Sequence, residues 1–209
     1  MIYNLFTQTV GAYTLHFDNL DGDISKVNMV DKSPDRNNNT IYKTEAFRCG
    51  RRIDTEYLPT KIRPKRKSKI PDFVAHARAQ ICSEAFREVI EAYDPGVHQF
   101  EPVQIVRKDG SVEEGTYYWF IPCTRLWSLD PELSNPPLSE YGRYLGYARM
   151  GNPRPGPIEP VFRKAVVRDH DVFAEAGLLG HFYMSESLKT ALLDAKLTGV
   201  GVGDALPLV

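Results

Sequence analysis

Long apolar runs are missing from this sequence: nowhere is there an uninterrupted stretch able to cross a bilayer. The opening residues, MIYNLFTQTVGAYTLHF, have no basic leader region, and Asn4, Thr7, Gln8 and Thr9 interrupt their apolar residues, so they fail as a secretory signal. Cysteine is scarce as well. Cys49, Cys82 and Cys123 are odd in number, far apart and without a CxxC pair. That is the usage of a reducing compartment, where the thiol serves as a small buried hydrophobe. The expected location is the cytoplasm.

Catalytic signatures are equally scarce. None of the five histidines and three cysteines sits in a nucleophile elbow or a Gly-Cys context. Cys82 precedes an expected helix start, where the dipole could activate it, but a buried structural thiol is the stronger reading. His170, Asp171 and His181 lack the spacing that puts two metal ligands on one helix face. The pairs Asp21 and Asp23, Glu113 and Glu114, and Asp169 and Asp171 read as solvated loop acids, because acid–base work needs carboxyls held and shifted by a fold. Gly199, Gly201 and Gly203 do not lead from a strand into a helix, as a phosphate-binding loop would. No catalytic residue, cofactor or metal is therefore expected, and the chain is not read as an enzyme.

What is present is ample core material and unevenly placed charge. Apolar residues make up 42% of the chain and charged residues 25%, with eleven Tyr, ten Phe and two Trp, a composition that excludes wholesale disorder. The 209 residues suffice for one generous domain or two small packed ones. Net charge is −1, yet Lys61 to Lys69 (KIRPKRKSK) carries six basic residues and no acid, which leaves the remainder at −7. Such a strip could neutralise phosphates. It is short, however, it has no interleaved aromatic to stack on bases, and charge runs are usually solvated.

Local patterns point to alternating strands and helices. Residues 3–17 read as one or two strands, 18–40 as loops, and 58–71, with Pro59, Pro64 and Pro71, as an exposed connection. A helix starts at the N-cap Ser83 and runs to about Tyr93, with Phe86, Val89, Ile90 and Tyr93 along one stripe. Strand-like runs at 98–107 and 116–123 are joined through Lys108-Asp109-Gly110-Ser111, where Asp-Gly is a hairpin signal. Residues 130–160 are rich in Pro and Gly, with Tyr141, Tyr144 and Tyr147 suggesting a short helix that Gly142 and Gly146 weaken. A strand is expected over 161–168. A second helix starts at Ser185, carries Leu188, Ala191, Leu192 and Ala195, and ends at Thr198-Gly199 ahead of a short strand at 200–202.

The two helices resemble one another. Ile81-Cys82-Ser83-Glu84 matches Tyr183-Met184-Ser185-Glu186, and a Gly-Val pair follows each helix. This is either an internal duplication of a helix-plus-strand unit or a cap that many amphipathic helices share. The fold class expected is α+β, with antiparallel sheets and a few amphipathic helices. Residues 1–69 are read as a strand and loop segment packed on a core of 70–209, the alternative being a single domain over 1–209.

The segments IPDFVAHARAQICSEAFREVIEAYDPGVHQFEPVQI, YYWFIPCTRLWSLD and YMSESLKTALLDAKLTGVGV resemble a family of bacterial immunity proteins encoded beside polymorphic toxins, including type VI secretion and Rhs effectors. The likeness covers roughly 70 to 202 and leaves the first 69 residues poorly matched. It implies a cytoplasmic antitoxin that binds a cognate toxin domain, usually by occluding its active site. An acidic body would steer onto a basic toxin such as a nuclease. The expected contacts are then Asp109, Glu113, Glu114, Tyr117 and Trp119 of the hairpin, with Trp127 at its exit. Tyr117 and Trp119, on one strand face, serve equally well as core. A toxin with an acidic groove would instead meet Lys65, Arg66 and Lys67. Two other readings stay open: an enzyme with an unrecognised site, and a nucleic-acid-binding regulator using 61–69.

Overall fold

A computed structural model describes residues 1–8, 15–38, 40–135, 159–178 and 180–209. In chain order they form β1 (Ile2–Thr7), β2 (Phe17–Asn19), β3 (Lys61–Pro64), β4 (Phe73–His76), β5 (Ala79–Ser83), α1 (Glu84–Tyr93), β6 (Gln99–Ile105), β7 (Tyr117–Ile121), β8 (Arg125–Leu126), α2 (Lys164–Val167), β9 (Val172–Glu175), β10 (Phe182–Ser185), α3 (Glu186–Asp194) and β11 (Val200–Leu206). Two sheets result, ordered β11-β1-β10-β9-β8 and β2-β3-β6-β7-β5-β4. Most pairings are antiparallel, whereas β3–β6 and β8–β9 run parallel. The class is α+β.

Side-chain alternation along the strands explains how the layers stack, because successive residues point to opposite sheet faces. Tyr118 and Phe120 of β7, Phe73 of β4 and Cys82 of β5 join Tyr3 and Leu5 of β1, Phe182 and Met184 of β10, and the helix residues Phe86, Ile90, Leu188 and Leu192 in one central core. Phe73 and Phe86 stack there with ring centroids 4.5 Å apart. Each such fully buried side chain contributes about 1.5–3 kcal/mol relative to exposure. The alternate residues Ile81, Trp119 and Ile121 face outward, where Phe17, Val27, Met29, Ile41 and Phe47 cover them. Ile2, Phe173 and Tyr183 do the same on the other sheet, beneath Leu129, Phe162, Val167 and Leu178.

The likeness of the two helices extends to whole units. Hairpin β4–β5, helix α1 and strand β6 repeat the order of hairpin β9–β10, helix α3 and strand β11. Ser83 Oγ accepts from the Phe86 amide and donates to Asp72 at 2.9 Å. Ser185 Oγ accepts from the Leu188 amide and donates to Asp171. Each unit is also bonded to the end of the other unit's helix. Asp72 Oδ2 accepts from the Thr198 amide at 2.8 Å and from its hydroxyl at 2.6 Å. Asp94, the C-cap of α1, accepts from the Val172 amide at 2.8 Å. His98 accepts the Cys123 N–H at Nδ1, so its Nε2 carries the proton donated to Asp94, 3.1 Å away.

Several expectations are corrected. The stretch 58–71 is not merely an exposed connection: Lys61–Pro64 is strand β3, and its Ile62 is fully buried between β2 and β6. Exposure is confined to Thr60, Lys61 and the turn Lys65–Lys69. The strand expected over 161–168 is a bridge at Phe162 followed by helix α2, because the buried Phe162 and Val167 anchor a turn despite the β-branched Val166 between them. The short strands β4, β5, β9 and β10 went unread, and β11 is longer than 200–202. The helix proposed around Tyr141, Tyr144 and Tyr147 lies outside the described residues.

Equivalent glycines end the two helices in left-handed backbone, with φ of +69° at Gly96 and +82° at Gly199. A Cβ on Gly96 would meet nothing within 4 Å, whereas on Gly199 it would lie 2.1 Å from the Phe73 carbonyl oxygen. In urea unfolding, Gly96→Ala should cost only about 1–2 kcal/mol. Gly199→Ala should cost more than ~4 kcal/mol, since backbone must move.

Burial alone would raise the Asp94 pKa, but the bonds from His98 and the Val172 amide outweigh it and hold the carboxyl below its ordinary value. Its contribution to stability is therefore complete above the unfolded value near 3.8 and is lost as pH falls through the lower folded value. Comparing urea midpoints at neutral pH and well below 3.8, the acid loss should be smaller in Asp94→Asn than in the wild type.

Candidate functional site

The chain between β6 and β7 folds on itself in two steps. An inner turn is closed by Arg107 N–H to the Ser111 carbonyl at 2.7 Å and by Gly110 N–H to the Arg107 carbonyl at 3.0 Å. Gly110 supplies the positive φ, +87°, that this turn requires. Val106 bridges Val112, and residues 113–116 then lead into β7. The Asp-Gly hairpin signal thus marks the inner turn, within a longer connection than the sequence suggested.

Asp109 is at the tip, but its carboxylate faces its own loop. Oδ1 accepts from the Ser111 amide at 3.0 Å and the Ser111 hydroxyl at 2.7 Å. Those bonds hold its pKa below the usual aspartate range, with Lys67 adding a longer-range attraction. Glu113 is ion-paired with Arg107, whose other guanidinium nitrogen donates to the Ser68 carbonyl at 2.8 Å. Arg107 therefore clamps the exposed basic turn at 65–69 to the hairpin.

A groove lies on each side of this clamp. One, of about 780 Å³, is lined by Arg66, Lys67, Lys69, Arg107 and Lys108, with Asp109 as its sole carboxylate among the described residues. The other, of about 830 Å³, is bordered by Leu58, Lys61, Glu101, Val103, Glu113 and Tyr117. The parallel pairing of β3 with β6 is the physical cause of their proximity. Lys61 is level with Gln104 and Ile62 with Ile105, so both strands deliver their following turns to the same sheet end.

The residues expected to contact a partner separate accordingly. Asp109, Glu113 and Tyr117 gather at the hairpin with Arg66 and Lys67, and Glu114 is exposed beside them. Tyr117 is half-buried; burial, then the carboxylates of Glu113 and Asp72, push its phenol pKa up. Lys65 is exposed and paired with Asp18 at 3.1 Å. Trp119 is resolved as core. It is fully buried, packs near Phe47 and donates Nε1–H to the Pro59 carbonyl at 2.7 Å, so no partner can touch it in this fold.

Trp127 belongs to a different cluster. Its indole donates to Asp35 at 3.2 Å, and the Arg36 and Arg125 guanidiniums lie 5.6 and 6.0 Å from its ring. Burial would raise the Asp35 pKa, but hydrogen bonding and charge from Arg125 bring it below the ordinary value. Cys82 is buried in the central core, and burial pushes its thiol pKa well up, the reverse of an activated nucleophile. Arg107 and Lys108 were not singled out from the sequence as contacts. They join the basic strip, whose last member is Lys69, only through the β3–β6 pairing, and linear charge counting cannot see that.

Comparison with known proteins places this surface in context. The model of an immunity protein family (Imm11) matches residues 30–206. The chain belongs to the Imm11 immunity protein family. The match extends the resemblance seen over 70–202 into the loops that cover the outer face of the six-stranded sheet. No curated protein matches the immunity protein. Among its described residues, no helix is long and apolar enough to cross a membrane, and no group of three or more His, Cys, Asp or Glu is placed to hold a metal ion.

Trp119 in the core and Glu114 at the surface make different predictions. Trp119→Ala should lower unfolding stability by about 3–5 kcal/mol. The exposed Glu114→Ala should stay within about 0.5 kcal/mol of the wild type in the same urea titration.

Proposed function

We propose that this immunity protein binds a cognate secreted polymorphic toxin in the cytoplasm and neutralises it by occluding its active site, catalysing no reaction itself. The supporting observation is the hairpin between β6 and β7, held by Arg107 and flanked by two grooves. A rigid element with a concave surface on either side suits insertion into a groove of another protein, where steric exclusion of substrate suffices for inhibition. Tyr117 offers an aromatic surface with few rotatable bonds, and residues of this kind anchor interfaces. Glu113 borders the same groove, and Glu114 with Asp109, Arg66 and Lys67 of the neighbouring groove adds charge that can select one partner over another.

Belonging to an immunity family supports the role as a whole, and the hairpin surface is our reading of how it is carried out. The test is co-expression with the product of the adjacent gene. Growth should be restored, and the two proteins should elute together in size-exclusion chromatography. A neighbouring product that is harmless, or one that stays lethal with this protein present, would falsify the reading. Tyr117→Ala should weaken the purified complex at least about tenfold, the scale of an interface hot spot.

A further inference from the structure

We propose that the groove between the basic turn and the hairpin tip receives an acidic segment of the partner protein, a proposal that rests on the binding role above. Sequence composition favours the opposite polarity, a basic partner drawn to an acidic body. The folded hairpin reverses that expectation for the surface at its tip. Asp109, though exposed, has its Oδ1 occupied by Ser111, and Glu113 is paired with Arg107. Lys65 is paired with Asp18, which leaves Lys67, Lys69 and Lys108, among the described residues, outside any carboxylate ion pair. All three are exposed and line one groove with Arg66 and Arg107.

The shape selects a protein segment over a nucleic acid. The groove, at about 780 Å³, is the size of a cleft that holds a few residues, and its wall includes the buried Pro64. Among the described residues no aromatic side chain lines it, so bases would find no stacking platform there. Beyond the strip the chain carries a net −7, which would repel a long polyanion extending past the groove. A short run of Asp or Glu in the partner needs only the local cations. Its carboxylates would meet lysines that form no ion pair and feel Asp109 and Asp72 only as longer-range attractions.

The experiment compares the full chain with the triple variant Lys67→Glu/Lys69→Glu/Lys108→Glu. The neutral variant Lys67→Gln/Lys69→Gln/Lys108→Gln serves as a second form should charge reversal disturb folding. The probe is a fluorescein-labelled peptide of alternating Glu and Gly, titrated at low and high salt. A duplex DNA of similar length is titrated in parallel. Expected are binding of the peptide by the wild type, weakening with salt, and at least a tenfold loss in both variants, whose thermal unfolding matches the wild type. Equal peptide binding by wild type and variants, or DNA bound more tightly than peptide through the same lysines, overturns the proposal. In the co-expression assay, full protection by the triple variant overturns the groove while leaving the immunity reading intact. Absence of protection by the wild type, with peptide binding lost in the variants, overturns the immunity reading and keeps the groove.

Discussion

Each half of this fold is tied to the other at the point where a helix ends. Asp72, at the start of the first hairpin, bonds Thr198 behind α3, and Asp94, behind α1, bonds the first amides of the second hairpin. A helix C-terminus is where the chain is most free to fray, so fixing it to a neighbouring hairpin also fixes the angle at which the helix lies. The central core then follows. With α1 and α3 both held, Phe86, Ile90, Leu188 and Leu192 converge between the two sheets. Were these carboxylates unpaired, the desolvated charge would oppose the packing it now directs.

The functional surface depends on that frame indirectly. Helix α1 leads into β6, and β6 must lie parallel to β3 for the basic turn and the hairpin to share one sheet end. Arg107 then makes the arrangement specific by joining a carboxylate of one turn to a carbonyl of the other. The result is a charge distribution unlike that of the whole chain. A protein that is nearly neutral overall presents a cationic groove beside a mixed one, and partner choice responds to such local fields more than to net charge.

For telling one toxin from related ones, the proposed surface would give two independent means. Aromatic contact at Tyr117 would contribute buried area, while lysines in the adjacent groove would penalise a partner lacking matching acids. Trp119 has no such part. Its indole is satisfied by Pro59 inside the outer core, where it ties β7 to the covering loops.

Helix α1, helix α3, their serine caps and the strands β6 and β7 were all legible in the sequence, because capping and amphipathic periodicity are local and strong. The four short hairpin strands were not, since Phe73–His76 and Phe182–Ser185 hold only four residues each and carry no alternation long enough to read. Residues 161–168 looked like a strand from their valines, yet burial of Phe162 and Val167 turned them into a bridge and a helical turn. Residue patterns alone carried the α+β class, the immunity-family likeness, and the presence of a basic strip and an aromatic hairpin. Folding settled that Trp119 is core, that Asp109 and Glu113 are occupied within their own loop, and that Arg107 and Lys108 extend the strip. Trp119 meets Pro59, and the strip meets the hairpin, through contacts between segments some forty or more residues apart, which no local pattern encodes.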